Sequence, residues 1–140
     1  MTRLFQLAAV AALAAAAAAC GGSTSTNTIA ASGPTVTETF TGTVQPAGAA
    51  DIHTFTVTTP GTVSVTMTSA GPPPTIMMGI GLGNPDNAGN CIYITTVQQP
   101  PSSTPQISGT VTASGAYCVA VGDIGNAAGP ITYSVTVSHT

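Results

Sequence analysis

Ile-Thr-Tyr-Ser-Val-Thr-Val, residues 131–137, is the stretch of sequence that decides the fold. Its large side chains, Ile, Tyr and two Val, occupy the odd-numbered positions, and Thr or Ser fills every position between them. Successive side chains of a β-strand point to opposite faces, so this spacing predicts a strand with one apolar and one polar face. The apolar face is expected to supply part of a core between two sheets.

The same alternation recurs seven times before residue 131. Turn-forming residues separate the segments, and no stretch after residue 20 has apolar side chains at the three- and four-residue spacing of a helix. Gly, Pro and Thr are also too frequent for helices of any length. We therefore predict an all-β antiparallel sandwich of about eight strands over residues 35–140. The seven further segments are residues 35–44, 53–58, 63–67, 76–82, 91–97, 107–111 and 117–121.

A different pattern opens the chain. Arg3 precedes an apolar run over residues 4–19, which is typical of a secretory signal and short for a membrane span of about 20 residues. The run ends in Ala-Ala-Ala-Cys, residues 17–20, which resembles the lipobox of bacterial lipoproteins. The resemblance implies that residues 1–19 are a signal peptide and that Cys20 becomes the first residue and carries the lipid that anchors the protein to the membrane.

Two alternatives to lipidation stay open. An ordinary signal peptide cut after residue 19 would leave Cys20 as a free thiol, and an uncleaved leader would act as a signal anchor. Residues 20–34 are small and uncharged, so we predict that they form a flexible tether between Cys20 and the folded domain. By analogy with lipoproteins, Gly21 favours the outer over the inner membrane of the cell envelope if the host is Gram-negative.

The charges of the chain exclude several kinds of partner. Arg3 is the only basic residue, so removing it with the signal changes the formal net charge from −3 to −4. A protein without Lys or Arg cannot neutralise phosphates, which argues against binding to nucleic acid or to anionic lipid by charge. The four acidic residues are Glu38, Asp51, Asp86 and Asp123.

Two cysteines remain once Cys20 is assigned to the lipid. Cys91 and Cys118 form an even pair in an exported protein, and the oxidising environment outside the cytoplasm favours a disulfide between them. The alternative is a pair of reduced, buried thiols, because sequence alone does not fix the distance between them.

Five segments together carry a resemblance to a known family. They are Phe40 with Gly42 in the first predicted strand, residues 51–57 (DIHTFTV), residues 60–65 (PGTVSV), residues 115–121 (GAYCVAV) and residues 131–137. Their pattern resembles the bacterial pre-peptidase C-terminal domain, over residues 35–138. The resemblance implies a jelly-roll β-sandwich. In that family the domain is usually an appendage of secreted proteases and other hydrolases, and some members bind collagen or polysaccharide.

Few residues are candidates for a functional site. Asp51 and His53 share one face of a predicted strand, where they could bind a metal or form part of a catalytic triad. His53 also shares that face with core residues, so a structural histidine is the alternative. Asn84 and Asp86 lie in an oxygen-rich loop that could hold a cation, although a turn held by the aspartate side chain explains the same composition. Asp123 opens a similar loop.

Enzymatic activity is not expected. No serine lies in a G-x-S-x-G motif, no Cys-His or paired-carboxylate arrangement is evident, and His139 lies where chain ends often fray. We expect no cofactor and no metal. The sequence favours a lipid-anchored, non-enzymatic interaction or structural module. The alternative is a module that binds an extracellular glycan or protein, although alternation assigns most aromatic rings to the core. A hydrolase is the third hypothesis.

Overall fold

The computed structural model describes residues 33–140, which form eight β-strands. The predicted signal peptide, Cys20 and all but the last two residues of the predicted tether lie outside the described residues. Among the described residues, no helix is long and apolar enough to cross a membrane. The strands are β1 (Val36–Val44), β2 (Asp51–Val57), β3 (Gly61–Gly71), β4 (Met78–Pro85), β5 (Cys91–Gln99), β6 (Ile107–Val111), β7 (Gly115–Asp123) and β8 (Ile131–His139).

The strands form two antiparallel sheets of four, which confirms the predicted all-β sandwich of about eight strands. The first sheet has the order β1-β8-β3-β6 and the second has the order β2-β7-β4-β5. Consecutive strands mostly alternate between the sheets, which is the topology of a jelly-roll sandwich. One sheet therefore ends in strands β1 and β6, and the other ends in β2 and β5.

Strand β8 lies at the centre of the first sheet and fills the middle of the core. It pairs with β1 on one side and with β3 on the other. Its inward side chains Ile131, Tyr133, Val135 and Val137 are all buried, so the stretch 131–137 is a core strand as predicted. Apolar burial on this scale is the main stabilising contribution to such a domain, roughly 1.5–3 kcal/mol for each fully buried large side chain.

Several strand boundaries differ from the predicted segments, and the start of β4 and the end of β5 are two examples. Ile76 was expected inside the fourth strand, but β4 begins at Met78, and Ile76 is buried in the preceding turn, where its N–H donates to the Pro73 carbonyl at 3.0 Å. Strand β5 continues to Gln99, two residues beyond the predicted segment 91–97. Both differences arise because pairing with neighbouring strands, which a single segment does not reveal, decides where a strand ends.

A β-bulge changes which side chains of β5 face the core. Leu82 pairs with Thr95, but Gly83 pairs with Tyr93, so Ile94 is an extra residue without a partner on β4. A bulge of this kind reverses the alternation of the strand beyond it. Val97 packs against the core, whereas Tyr93 lies on the outer face of the sheet.

The predicted disulfide is present. Cys91 and Cys118 are bonded with a Cα–Cα distance of 5.8 Å, within the usual range for a disulfide. Both cysteines are buried and form a small cluster with Ala120, separate from the core between the sheets. The bond ties the first residue of the edge strand β5 to strand β7, two positions away in the same sheet.

Candidate functional site

Asp51 and His53 lie together on the inward face of β2, as the alternation predicted, and both meet Tyr133 of the opposite sheet. The Tyr133 hydroxyl donates to Asp51 Oδ2 at 2.7 Å. His53 Nε2 lies 2.7 Å from the same hydroxyl oxygen and 3.7 Å from Asp51 Oδ2. Because the only hydroxyl proton of Tyr133 is given to Asp51, His53 Nε2 is the donor in the second bond. We call Asp51, His53 and Tyr133 the polar triangle.

Two residues of β1, Gly42 and Phe40, pack against the polar triangle. Gly42 lies against it, and a Cβ added there would overlap Asp51 Oδ2 and lie 2.6 Å from the Tyr133 hydroxyl oxygen. The His53 ring stacks on Phe40 with a centroid distance of 4.8 Å and an interplanar angle of 13°. The absence of a side chain at Gly42 is therefore what leaves room for a polar link between the two sheets.

The electrostatics of the polar triangle keep the phenol neutral. Burial, followed by the hydrogen bond and negative charge of Asp51, raises the pKa of Tyr133 above its ordinary value. Asp51 Oδ2 and His53 Nε2 each lie 2.7 Å from the Tyr133 hydroxyl oxygen, and these two bonds join β2 of one sheet to β8 of the other. The polar triangle therefore links the two sheets. No group of three or more His, Cys, Asp or Glu side chains that could hold a metal occurs among residues 33–140.

His139 lies in a different environment from the one expected. The sequence predicts a chain end that frays at this position, but His139 is the last residue of β8 and is buried. Its Nε2 lies 3.0 Å from Glu38 Oε1, and its ring packs against Phe55 with a centroid distance of 5.1 Å. The segment is held because the Thr140 carbonyl accepts from the N–H of Thr58 at 3.2 Å. The alternation of inward side chains in β8, extended by two residues from Val137, would have predicted that His139 faces inward.

The loop at Asp86 is a turn held by its own aspartate. Asp86 Oδ1 accepts from the N–H groups of Ala88 at 2.8 Å and Asn90 at 2.7 Å. Its Oδ2 accepts from the Asn90 side-chain amide at 2.8 Å. These bonds, led by that of the Asn90 side chain, lower the pKa of Asp86. Asn84 instead donates to the Ala116 carbonyl at 3.4 Å, so Asn84 and Asp86 do not converge on one point.

Asp123 joins two loops at the same end of the sandwich. Its Oδ2 accepts from the N–H of Ala47, in the turn between β1 and β2, at 2.9 Å. Its Oδ1 accepts from the N–H groups of Asn126 and Ala127, each at 3.1 Å. These backbone donors, with Ala47 first, lower the pKa of Asp123. The carboxylate is thus engaged by the protein's own backbone, as in the Asp86 loop.

The outer face of the second sheet carries a groove that sequence reasoning did not single out. Its cavity volume is about 290 Å³, and glycine and alanine residues line much of it. The Tyr93 ring lies over Gly81, where an added Cβ would come within 2.6 Å of the ring. Thr96 and Gln98 continue the same wall along β5. The alternating glycines of residues 79–83 were the available signal, because a glycine stripe leaves space for a ring from the neighbouring strand.

Comparisons with known proteins add no relative. No family model matches the chain, and no curated protein matches it.

Proposed function

We propose that the chain is a lipid-anchored protein of the bacterial cell envelope whose β-sandwich serves as a non-enzymatic interaction module. The observation that carries the proposal is Cys20, which directly follows the apolar run of residues 4–19. Strand β1 begins at Val36, so residues 21–35 separate the lipid site from the first strand. A small, uncharged segment of this length, acting as a random coil, would hold the sandwich roughly 20 Å from the membrane surface. We place the anchor in the outer membrane if the host is Gram-negative.

The internal polar contacts support a role without catalysis. A general base or nucleophile must be free to reach a substrate. The Asp51 carboxylate and His53 Nε2 are instead engaged with Tyr133 between the sheets. The Asp86 and Asp123 carboxylates accept several hydrogen bonds from N–H groups of the loops. These side chains serve the fold, which leaves the outer faces and edges of the sandwich for binding.

Metabolic labelling tests the anchor. Cells expressing the full chain are grown with a palmitate analogue, and label on the protein is measured by gel fluorescence. We expect label on the wild type and none on Cys20→Ala. The matched control is Cys91→Ala with Cys118→Ala, which removes the other two cysteines and should keep the label. Label that persists in Cys20→Ala would refute the proposal.

A second candidate function is the binding of an extracellular glycan in the outer-face groove. Tyr93 is 49% exposed, and its ring lies along Gly81. An aromatic ring next to hydroxyl and amide side chains, here Thr96 and Gln98, suits a sugar with one apolar face and a rim of hydroxyl groups. The absence of Lys and Arg after residue 3 favours a neutral sugar over an anionic one. The resemblance to the pre-peptidase C-terminal domain agrees with this candidate.

Retention of the full chain on immobilised neutral polysaccharides tests the glycan candidate. We expect retention to be lost in Tyr93→Ala and kept in Tyr93→Phe, because the ring rather than the hydroxyl provides most of the contact. Failure of the wild type to bind any matrix, or equal binding by Tyr93→Ala, would exclude the groove as the site.

A further inference from the structure

The four edge strands of the sandwich are protected to different degrees. An exposed edge presents unpaired backbone groups, and proteins commonly protect it with inward-pointing charges or by keeping the strand short. Strands β1 and β2 place Glu38 and Asp51 on their inward faces. Strand β6 has only five residues. Three of the four edges therefore carry a recognised protection against pairing with another chain.

Strand β5 has neither charge nor short length as protection, and its β-bulge at Ile94 is the one edge device that it carries. It has nine residues, Cys91–Gln99, none of them charged. Ile92 is 60% exposed and Ile94 is 61% exposed, the two most exposed large apolar side chains in the part of the chain described. A long, uncharged edge with exposed β-branched residues is a template for adding another strand.

The bulge and the neighbouring strand extend this edge into an apolar groove. Ile94, the extra residue of the bulge, lines a groove of about 340 Å³ that runs from β5 to β6. Leu82 and Ile107 lie at its base and are themselves buried. A strand added to β5 would therefore meet apolar surface beside its backbone hydrogen bonds.

We propose that β5 pairs antiparallel with β5 of a second copy of this chain about a two-fold axis. This inference deepens the proposed interaction role and rests on it. A second copy suits this edge because β5 is neutral, so two β5 strands meet without like charges facing each other, and Glu38 and Asp51 of each copy stay on the far side of its sandwich. Antiparallel pairing is favoured because it also separates the two Asp86 carboxylates, which adjoin the start of β5 and would lie side by side in a parallel pair.

The paired edge is small, so the dimer depends on concentration. A single added strand buries less than the roughly 1,200 Å² of a standard stable interface, which indicates a weak association. Attachment of both copies to one membrane raises their effective concentration and favours pairing there. A two-fold pair also closes on itself, so we expect dimers and no longer assemblies.

Sedimentation velocity of the full chain in detergent, over a range of protein concentrations, tests the pairing. We expect a concentration-dependent dimer for the wild type. Ile92→Lys with Ile94→Lys should weaken association at least about 100-fold, because charges of one sign meet across the axis. The matched control is Val36→Lys on the edge strand β1, where the side chain is also exposed, and it should dimerise like the wild type.

Three outcomes would overturn the inference. They are a wild type that stays monomeric at every concentration, a double variant that still dimerises, and growth into open-ended assemblies. Circular dichroism of each variant verifies that it is folded, and Ile92→Thr with Ile94→Thr provides a neutral replacement if the lysine variant unfolds. Palmitate labelling of the same samples separates the two proposals. Label on a protein that stays monomeric would support the lipid anchor and reject the pairing of β5.

Discussion

The two sides of the sandwich where sheet edges meet are built from different chemistry. At the β1 and β2 side, the polar triangle and the contact of His139 with Glu38 link neighbouring strands and the two sheets. At the β5 and β6 side, a disulfide secures the edge strand, and Ile92 and Ile94 stay exposed. The polar side also ends in edge strands, but Glu38 and Asp51 face inward there and form hydrogen bonds within the chain, whereas the apolar side combines an unpaired edge with exposed apolar surface. Variants on each side test this contrast.

Removal of the disulfide is expected to have the largest effect. Cys91→Ala with Cys118→Ala opens a loop with a sequence separation of 27 residues. In the chain-entropy model this lowers the free energy of unfolding by about 3.5 kcal/mol. Urea denaturation followed by circular dichroism measures the loss. A change below about 1 kcal/mol would show that β5 is held by its pairing with β4 and not by the disulfide.

Gly42→Ala should be the next most damaging change, and it acts on the polar side. The new methyl group would overlap Asp51 and crowd the Tyr133 hydroxyl, so the polar triangle must shift or break. We expect a loss of about 2–3 kcal/mol in urea denaturation. Gly109→Ala is the matched control, since an added Cβ there meets no atom within 4 Å. Equal stability of the two variants would contradict the tight fit at Gly42.

Tyr133→Phe removes both hydrogen bonds of the polar triangle while keeping the ring. Because Asp51 is partly exposed and can be rehydrated, we expect a loss of only about 1–2 kcal/mol near neutral pH. The raised pKa of Tyr133 also predicts a pH dependence. The folded state holds this proton more tightly than the unfolded chain, so its contribution is complete below about pH 10 and declines as the pH rises toward the folded-state pKa.

Urea denaturation from pH 8 to pH 11 measures that dependence. The alkaline loss of stability should be smaller in Tyr133→Phe than in the wild type. An identical decline in both proteins would show that the Tyr133 hydroxyl does not interact with Asp51 as the structure indicates.

Asp123→Asn should have the smallest effect, seen only as a change in acid sensitivity. The pKa of Asp123 is lowered in the folded state by hydrogen bonds from Ala47 and its own loop. Its contribution is therefore present above about pH 4 and is lost as the pH falls through the lowered folded-state value. Thermal denaturation between pH 2 and pH 6 should show a shallower acid decline in the variant. A decline as steep as that of the wild type would argue against the link to Ala47.

Most of the fold could be predicted from alternation, because burial between two sheets imposes a period of two on each strand. Stretch 131–137 shows this, since its odd-numbered side chains are all buried. The bulge at Ile94 could not be predicted in this way, because it depends on how β5 aligns with β4. That one extra residue moved Tyr93 to the outer face.

The sites were less predictable than the fold. Sequence spacing correctly placed Asp51 and His53 on one face, and the pairing of Cys91 with Cys118 was also correct. Tyr133 was not connected to Asp51, because the two residues lie 82 positions apart and meet only when the sheets pack. Edge strands are equally invisible to local patterns, since strand order within a sheet is set by long-range pairing. The exposed edge at β5 therefore had to come from the structure.

Hydrogen–deuterium exchange of the full chain at low and high protein concentration tests the contrast between the two sides most directly. The account predicts that amides of β5 become more protected as concentration rises, while those of β2 and β1 do not change. Protection of β5 that is independent of concentration, or a rise in protection at β1 and β2 instead, would contradict it.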